Sequence, residues 1–299
     1  MQQVALTEQL HLSRIVYGWW RLMSWDMDTK AIEQRLEECL ALGITSHDHA
    51  DIYGDYLCEA SFGKALKNRP DLRQKIQLIS KCGIQLVSPQ RPHHGRKNYD
   101  TTYAHIVASA EQSLKYLNTE FLDLLLIHRP DPLMDADDIA RAFEHLKTSG
   151  KVGAFGVSNF SVSEFNLVQS RLSLPLVTNQ IEVSVLHHAS FHDGSLDQAQ
   201  QLKRAPMAWS ALAGGRLFSG NDAQARQVRQ ALEQTATDIG AASIDQIALA
   251  WLLKHPAHIM PIVGSQSLAR IKAASDSLNV TLSRDQWYNI WEAAGGELP

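Results

Sequence analysis

Four residues that can move a proton or hold a charge stand at or just past the ends of apolar runs: Asp48, Tyr53, Lys81 and His128. A free tyrosine has a pKa of about 10 and is a poor proton donor at neutral pH. A nearby ammonium favours the tyrosinate, which moves the phenol toward the working range. A carboxylate beside the lysine keeps that lysine charged and in place. An imidazole across the pocket can hydrogen-bond a carbonyl oxygen. Together these groups suit a site that protonates a carbonyl oxygen while a hydride reaches the carbon. No side chain supplies hydride, so a nicotinamide cofactor is implied.

Elements must bring these residues together. Eight apolar runs read as strands, at 15–18, 44–48, 76–81, 122–128, 152–158, 176–183, 207–211 and 260–264, and each is followed by a helical pattern. Asp28 suits the N-cap of the first helix, Asp100 that of the third, and Ser161 with Glu164 reads as a capping box. Run 122–128 is apolar on both faces after Asp123, as a buried parallel strand should be. The alternation predicts βαβ units closed into a (β/α)8 TIM barrel, an α/β fold of roughly 250 residues. The expectation is a single domain over residues 1–299, with extra helices after the seventh strand and at the C-terminus. A long connection, 83–99, takes up further length; it reads either as a solvated loop or as a wall over the substrate. An open doubly wound sheet is the competing architecture. No GxGxxG follows an early strand, and Gly150, Gly153 and Gly156 read as turn glycines.

Composition bounds the function. Of 299 residues, 44% are hydrophobic and 20% charged, with a formal net charge of −4, so a dominant disordered state is excluded. That balance gives no basic footprint for nucleic acid and no polybasic membrane patch. Cys39, Cys58 and Cys82 are odd in number and lack CxxC spacing, which points to a reducing compartment. No run reaches a membrane span, and residues 1–12 lack the pattern of a signal peptide. A cytoplasmic location is expected.

In a barrel enzyme the chemistry sits at the carboxyl ends of the strands, where Asp48, Lys81, His128, Ser158, Asn159, Gln180, Trp209 and Ser210 fall. The segments Gly43-Ile44-Thr45-Ser46-His47-Asp48-His49-Ala50-Asp51-Ile52-Tyr53, Ile79-Ser80-Lys81, Leu124-Leu125-Leu126-Ile127-His128 and Gly156-Val157-Ser158-Asn159-Phe160 make the chain similar to aldo-keto reductases over essentially its full length. The likeness is strongest to a bacterial oxidoreductase branch with no settled substrate. The resemblance implies Tyr53 as general acid, Lys81 and Asp48 as its tuning pair, and His128 as the carbonyl-orienting residue. It implies Ser158, Asn159 and Gln180 at the nicotinamide carboxamide, Trp209 stacked on the nicotinamide ring, and Gly18 and Trp19 beside that end. Ser210, Leu212 and Gly214 match the loop over the pyrophosphate; Gly264, Ser265, Gln266 and Arg270 match the adenosine-phosphate end. A guanidinium pairs bidentately with phosphate and amides at a helix N-terminus add to an anion site, so Arg270 suits a 2′-phosphate. Gly264 stands where many members have lysine, which removes one cation. NADP(H) is still expected, with NAD(H) the weaker alternative. The implied activity is an NADP-dependent alcohol dehydrogenase type of reaction on CH–OH groups and their carbonyls. The implied partner is a small aldehyde or ketone, and the chain is expected to be a monomer or weak homo-oligomer.

Two other readings compete. His47-x-His49 on a strand points both imidazoles to one face, as a metal-dependent barrel hydrolase would need, with His187, His188 and Lys81 as further ligands. Against it, the last strand ends Val263-Gly264-Ser265 with no carboxylate, and no metal is expected. The same fold could also serve as a cofactor-sensing subunit of a larger complex, though no partner-binding tail is present. Trp19 and Trp20 read equally well as packing residues or as lining of the substrate mouth.

Overall fold

A computed structural model describes residues 2–241 and 243–297. Eight parallel strands close into a barrel in simple sequence order: β1 (Val16–Gly18), β2 (Ser46–Asp48), β3 (Gln77–Cys82), β4 (Leu122–Ile127), β5 (Val152–Ser158), β6 (Leu176–Glu182), β7 (Met207–Trp209) and β8 (Met260–Val263). The strand β8 pairs back onto β1, with Ile262 opposite Val16. The α/β barrel expected from the alternation is therefore the fold, and the open sheet is excluded. Around it run α1 (Thr29–Ala41), α2 (Cys58–Asn68), α3 (Tyr103–Tyr116), α4 (Ala136–Thr148), α5 (Val162–Gln169), α6 (Ser195–Leu202), α7 (Ala223–Ile239), α8 (Ile244–Leu253), α9 (Leu268–Asp276) and α10 (Arg284–Ala293).

The barrel has two apolar cores, and strand alternation divides residues between them. On β4, Leu124 and Leu126 join the cluster inside the barrel, whereas Leu125 and Ile127 join the layer between strands and helices. Both faces are dry, which explains the continuous apolar run. An N-terminal hairpin, Gln3–Ala5 paired with His11–Ser13, adds Leu6, Leu10 and Leu12 to the inner cluster. Each buried leucine stabilises the fold by about 1.5–3 kcal/mol relative to exposure. Sequence pattern did not reveal this hairpin, whose two strands are three residues long.

Local chemistry sets the helix starts. Asp28 Oδ1 accepts from the Ala31 N–H at 2.8 Å, and Ser161 with Glu164 forms a reciprocal capping box. One expectation is corrected: α3 is capped by Thr102, not Asp100. Asp100 instead accepts from Thr102 N at 3.1 Å and Oγ1 at 2.7 Å, orienting the capping residue. Helices α2 and α3 cross at Gly63, where an added Cβ would lie 1.9 Å from the Tyr116 carbonyl oxygen. The surplus chain falls where expected: α7 follows β7, and α10 closes the chain. Helix α10 is held by Trp287, which stacks on Trp251 of α8 at 4.7 Å, each indole N–H donating to the other's backbone carbonyl.

The 83–99 connection contains a small antiparallel ladder, Ile84–Gln85 against Asn98–Tyr99. It is fastened to the barrel rim where the Leu86 N–H donates to Tyr56 Oη at 2.8 Å. Among the described residues no helix is long and apolar enough to cross a membrane.

Candidate active site

Asp48 ends β2, Lys81 is the fifth residue of β3, and His128 follows β4 directly, so three adjacent strands deliver three of the reactive groups. Tyr53 comes from the loop after β2, where a tight turn places Gly54 at φ 55° and Asp55 at φ 58°. A side chain at Gly54 would also meet Met23 Cγ at 2.4 Å, so glycine is required there on both counts.

Lys81 is fully buried, and its amine has three partners. It donates to Asp48 Oδ2 at 2.8 Å, to the His49 carbonyl oxygen at 2.7 Å and to Tyr53 Oη at 2.9 Å. An ammonium has three N–H groups, so all are used. Asp48 Oδ1 accepts from Gln180 Nε2 at 2.9 Å, which ties β2 to β6 across the barrel. The His128 ring stands edge-on to Tyr53 with centroids 5.9 Å apart.

Electrostatics correct one expectation. Tyr53 is pushed well above the ordinary tyrosine range, chiefly by burial and then by the charge of Asp48. A tyrosinate so close to a carboxylate in a dry pocket is disfavoured, and the phenol stays neutral. Lys81 is pulled below its usual range by burial, opposed by Asp48, Asp51 and Glu59. Burial, then the charges of Lys81 and Arg129, holds His128 well below the ordinary histidine range, so its ring is neutral.

A cleft of about 820 Å³ runs from this group to Arg270, at the upper end of the range for small-molecule and cofactor sites. Tyr53, Asp48 and His128 line it with Ser158, Asn159, Gln180 and Trp209, and so do Ser210, Leu212, Gly214, Gly264, Ser265, Gln266 and Arg270. Gly18 also lines it. Trp19 does not. Its ring is fully buried, stacked parallel to His49 with centroids 6.0 Å apart, and its indole N–H donates to His47 Nδ1 at 3.1 Å. Strand direction at Gly18 sends Trp19 inward and leaves Trp20, 60% exposed, to line the mouth. The same packing places His47 and His49 in the core beside Phe62 and away from the cleft, with His47 lowered to about 3 by burial. His188 is separate from them, stacked on Trp291.

The residues fit a dinucleotide, group by group. Trp209 is oriented by its indole N–H, which donates to Asn159 Oδ1 at 2.8 Å. Asn159 sits at φ 60°, and its Nδ2 donates to Ser158 Oγ at 2.8 Å. Gln180 has given Nε2 to Asp48 and retains Oε1 as an acceptor for a carboxamide N–H. Gly214 and Gly215, at φ 62° and 102°, turn the loop after β7 beside the cleft, and the Gly214 carbonyl accepts from Arg21 at 3.0 Å. At Gly264 an added Cβ would lie 2.9 Å from the Gly18 carbonyl oxygen, so a lysine here would push against the end of β1.

Several residues that shape the cleft escaped the sequence reading. Arg35 of α1 donates to the carbonyls of Ser265 at 2.9 Å and Gln266 at 2.8 Å, and Tyr17 Oη donates to the Ser265 carbonyl at 2.7 Å. These bonds fix the loop before α9. Arg129 lies over the Trp209 ring at 5.5 Å, and Arg270 over Phe218 at 5.1 Å. Arg35 gave no signal because it reads as an ordinary helix-surface residue. From the 83–99 connection, Ile84, Leu86, Lys97 and Tyr99 line the cleft, which favours the wall reading of that segment.

A closed parallel barrel with this Asp–Lys–Tyr–His group at its carboxyl end is the arrangement of a carbonyl oxidoreductase, and the chain belongs to the aldo/keto reductase family, whose model matches residues 14–294. It is 50% identical over 296 residues to the uncharacterized oxidoreductase YcsN of Bacillus subtilis (strain 168), covering 99% of each chain. To the oxidoreductase YdhF of Escherichia coli (strain K12) it is 49% identical, covering 99% of this chain and 98% of the relative. A 6-dehydroglucose reductase of Agrobacterium fabrum is 47% identical, with 99% of each chain covered. The crystal structure of the thermostable aldo-keto reductase Tm1743, solved with the inhibitor epalrestat, superposes with a TM-score of 0.79 at 23% identity, covering 98% of this chain and 100% of that one. It shares the barrel.

Proposed function

We propose that this chain, acting as one barrel unit over residues 1–299, reduces aldehyde or ketone carbonyls to alcohols with NADP(H), NAD(H) serving as the weaker alternative. The observation that carries the reading is the bonding of Lys81. The amine donates to the phenol oxygen, and burial together with the neighbouring Asp48 carboxylate keeps Tyr53 neutral, so the phenol retains a proton to give. Tyr53 is then a general acid held at a fixed angle, and it gives its proton to the carbonyl oxygen. His128, neutral and beside it, donates a hydrogen bond that places that oxygen. A reduced nicotinamide, when bound, supplies the hydride. As the phenolate forms, the Lys81 ammonium 2.9 Å away stabilises it, and the buried site strengthens that attraction.

At the far end, Arg270 would pair with a 2′-phosphate. The lost lysine at Gly264 weakens that preference without removing it. Substrate identity rests on the other end of the cleft. Trp20, Trp25 and Tyr99 offer flat apolar faces, while Asp55, Lys97 and Arg129 offer polar ends. That mixture suits a hydroxylated aldehyde, and the relative that reduces 6-dehydroglucose supports sugar aldehydes as the first class to test. The reading includes a cytoplasmic, monomeric or weakly self-associating enzyme with no nucleic-acid or membrane partner.

The test is NADPH consumption over a panel of sugar aldehydes, simple aldehydes, dicarbonyls and quinones. Turnover of a hydroxylated aldehyde above the simple ones is the expected result. No consumption with any carbonyl would overturn the reading.

A further inference from the structure

Two carboxyls that the reduction does not use sit close to Lys81 outside the cleft. Strand alternation sends Ser80 to the opposite face of β3 from Lys81. There Ser80 Oγ donates to Glu59 Oε1 at 2.5 Å. Glu59, on α2, is 2% exposed. Its Oε2 has no donor in hydrogen-bond geometry, though the Ser113 hydroxyl on α3 is close enough to favour the charged form. Asp51, in the loop after β2, donates its backbone N–H to the Lys81 carbonyl at 3.0 Å, and its Oδ1 is sealed from solvent without a partner. Both carboxyls act on the Lys81 charge. The other charged group facing them is Arg91 of the 83–99 connection, which lies over the Tyr56 ring at 4.5 Å. Cys82 feels both as well and stays a thiol.

A buried ammonium with one carboxylate in contact is exposed to loss of its proton as pH rises. We infer that Glu59, assisted by Asp51, is a positioning residue that keeps Lys81 charged at the alkaline end of the working range, acting through the strand from the face opposite the cleft. Burial pushes the Glu59 carboxyl up to about 7, so it carries its negative charge at alkaline pH, where a buried lysine is most at risk of losing its proton. Asp51 is raised by burial and by Glu59, as two carboxyls sharing one dry site should be.

The inference rests on the proposed reduction, and its test keeps the two apart. In the 15N NMR spectrum of lysine-labelled protein, the Lys81 Nζ resonance is followed against pH in the wild type, Glu59→Gln and Asp51→Asn. The expected result is a Lys81 titration lowered by about one pH unit in each variant, and an alkaline limb of kcat lowered to match. Should Glu59→Gln fail to fold, Asp51→Asn must show the shift alone. An unmoved Lys81 titration in a folded variant overturns the inference even if the enzyme reduces carbonyls. A shifted titration in a protein that reduces no carbonyl upholds the electrostatic link and overturns only the proposed reaction.

Discussion

Lys81 Nζ and Tyr53 Oη lie 2.9 Å apart, with the amine as donor. The phenol accepts from the amine, and the Asp48 carboxylate beside it favours the neutral, proton-bearing form. Replacing Tyr53 by Phe removes the donor while leaving the cleft walls in place. Turnover should fall by at least about 100-fold, the lower range for acid–base catalysis, with the NADPH Kd changed less than about threefold. Steady-state kinetics and fluorescence titration check both numbers. An unchanged kcat would strip Tyr53 of its role.

Asp48 and Lys81 are a buried pair, 3% and 0% exposed at the side chain. Breaking such a pair leaves an uncompensated charge in a dry site, at a cost of about 3–5 kcal/mol. Lys81→Met alone should therefore lower stability by roughly that amount, whereas Lys81→Met with Asp48→Leu should recover part of it. Both should lose reductase activity. Urea denaturation of the single and double variants decides the matter; a double variant less stable than the single one contradicts the assignment.

Arg270 stands exposed at the far end of the cleft, stacked on Phe218. If it reads a 2′-phosphate, Arg270→Ala should weaken NADPH by about 10–100-fold, from a charged hydrogen bond worth about 1.5–3 kcal/mol, and leave NADH nearly unchanged. Calorimetric titration with each cofactor tests this. Equal weakening would show that Arg270 does not discriminate.

Stability should fall in acid. His47 is lowered to about 3 and His188 to about 4, both first by burial, and His49 and His128 are lowered well below the ordinary range. The unfolded chain takes up protons on these groups below about pH 6.5, while the folded chain does not. Their contribution is complete above the unfolded value and is lost as pH falls toward the folded ones. Glu59 acts in the other direction: raised to about 7, it favours the folded state most in acid and loses that benefit as pH rises through neutrality. Asp51 and Asp123, raised by burial, act in the same direction as Glu59, but the four histidines outnumber these carboxyls, so Tm should decline below about pH 6. In Glu59→Gln that residue's opposing contribution is gone, and the decline should be steeper. A flat Tm from about pH 7 to about pH 4 would refute the buried-neutral assignment.

Gly63 tests the packing of α2 on α3. A methyl group there meets backbone at 1.9 Å and cannot be relieved by rotating a side chain. Gly63→Ala should destabilise by at least about 1–3 kcal/mol despite the better helix propensity of alanine, as measured by chemical denaturation. A stabilised variant would mean the helices separate freely.

Much of this molecule is written in local pattern. Eight apolar runs alternating with helical periods determine a parallel barrel, because each strand must be buried on both faces and each helix on one. Positions at strand ends then determine that Asp48, Lys81 and His128 share one rim. Capping residues such as Asp28 and Ser161 are legible for the same reason, since their partners lie within three residues. What local pattern could not determine is which way a side chain turns where neighbouring strands compete for space. Trp19 and Trp20 are adjacent and alike, yet packing against His49 and Phe62 takes the first into the core and leaves the second at the mouth. Arg35 and Glu59 find their partners 230 and 21 residues away, so only the folded chain assigns them a task. The protonation of Tyr53 is likewise a tertiary matter: the sequence supplies a cation that would lower it, but the degree of burial and the distance to Asp48 set the direction, and those exist only once the barrel has closed.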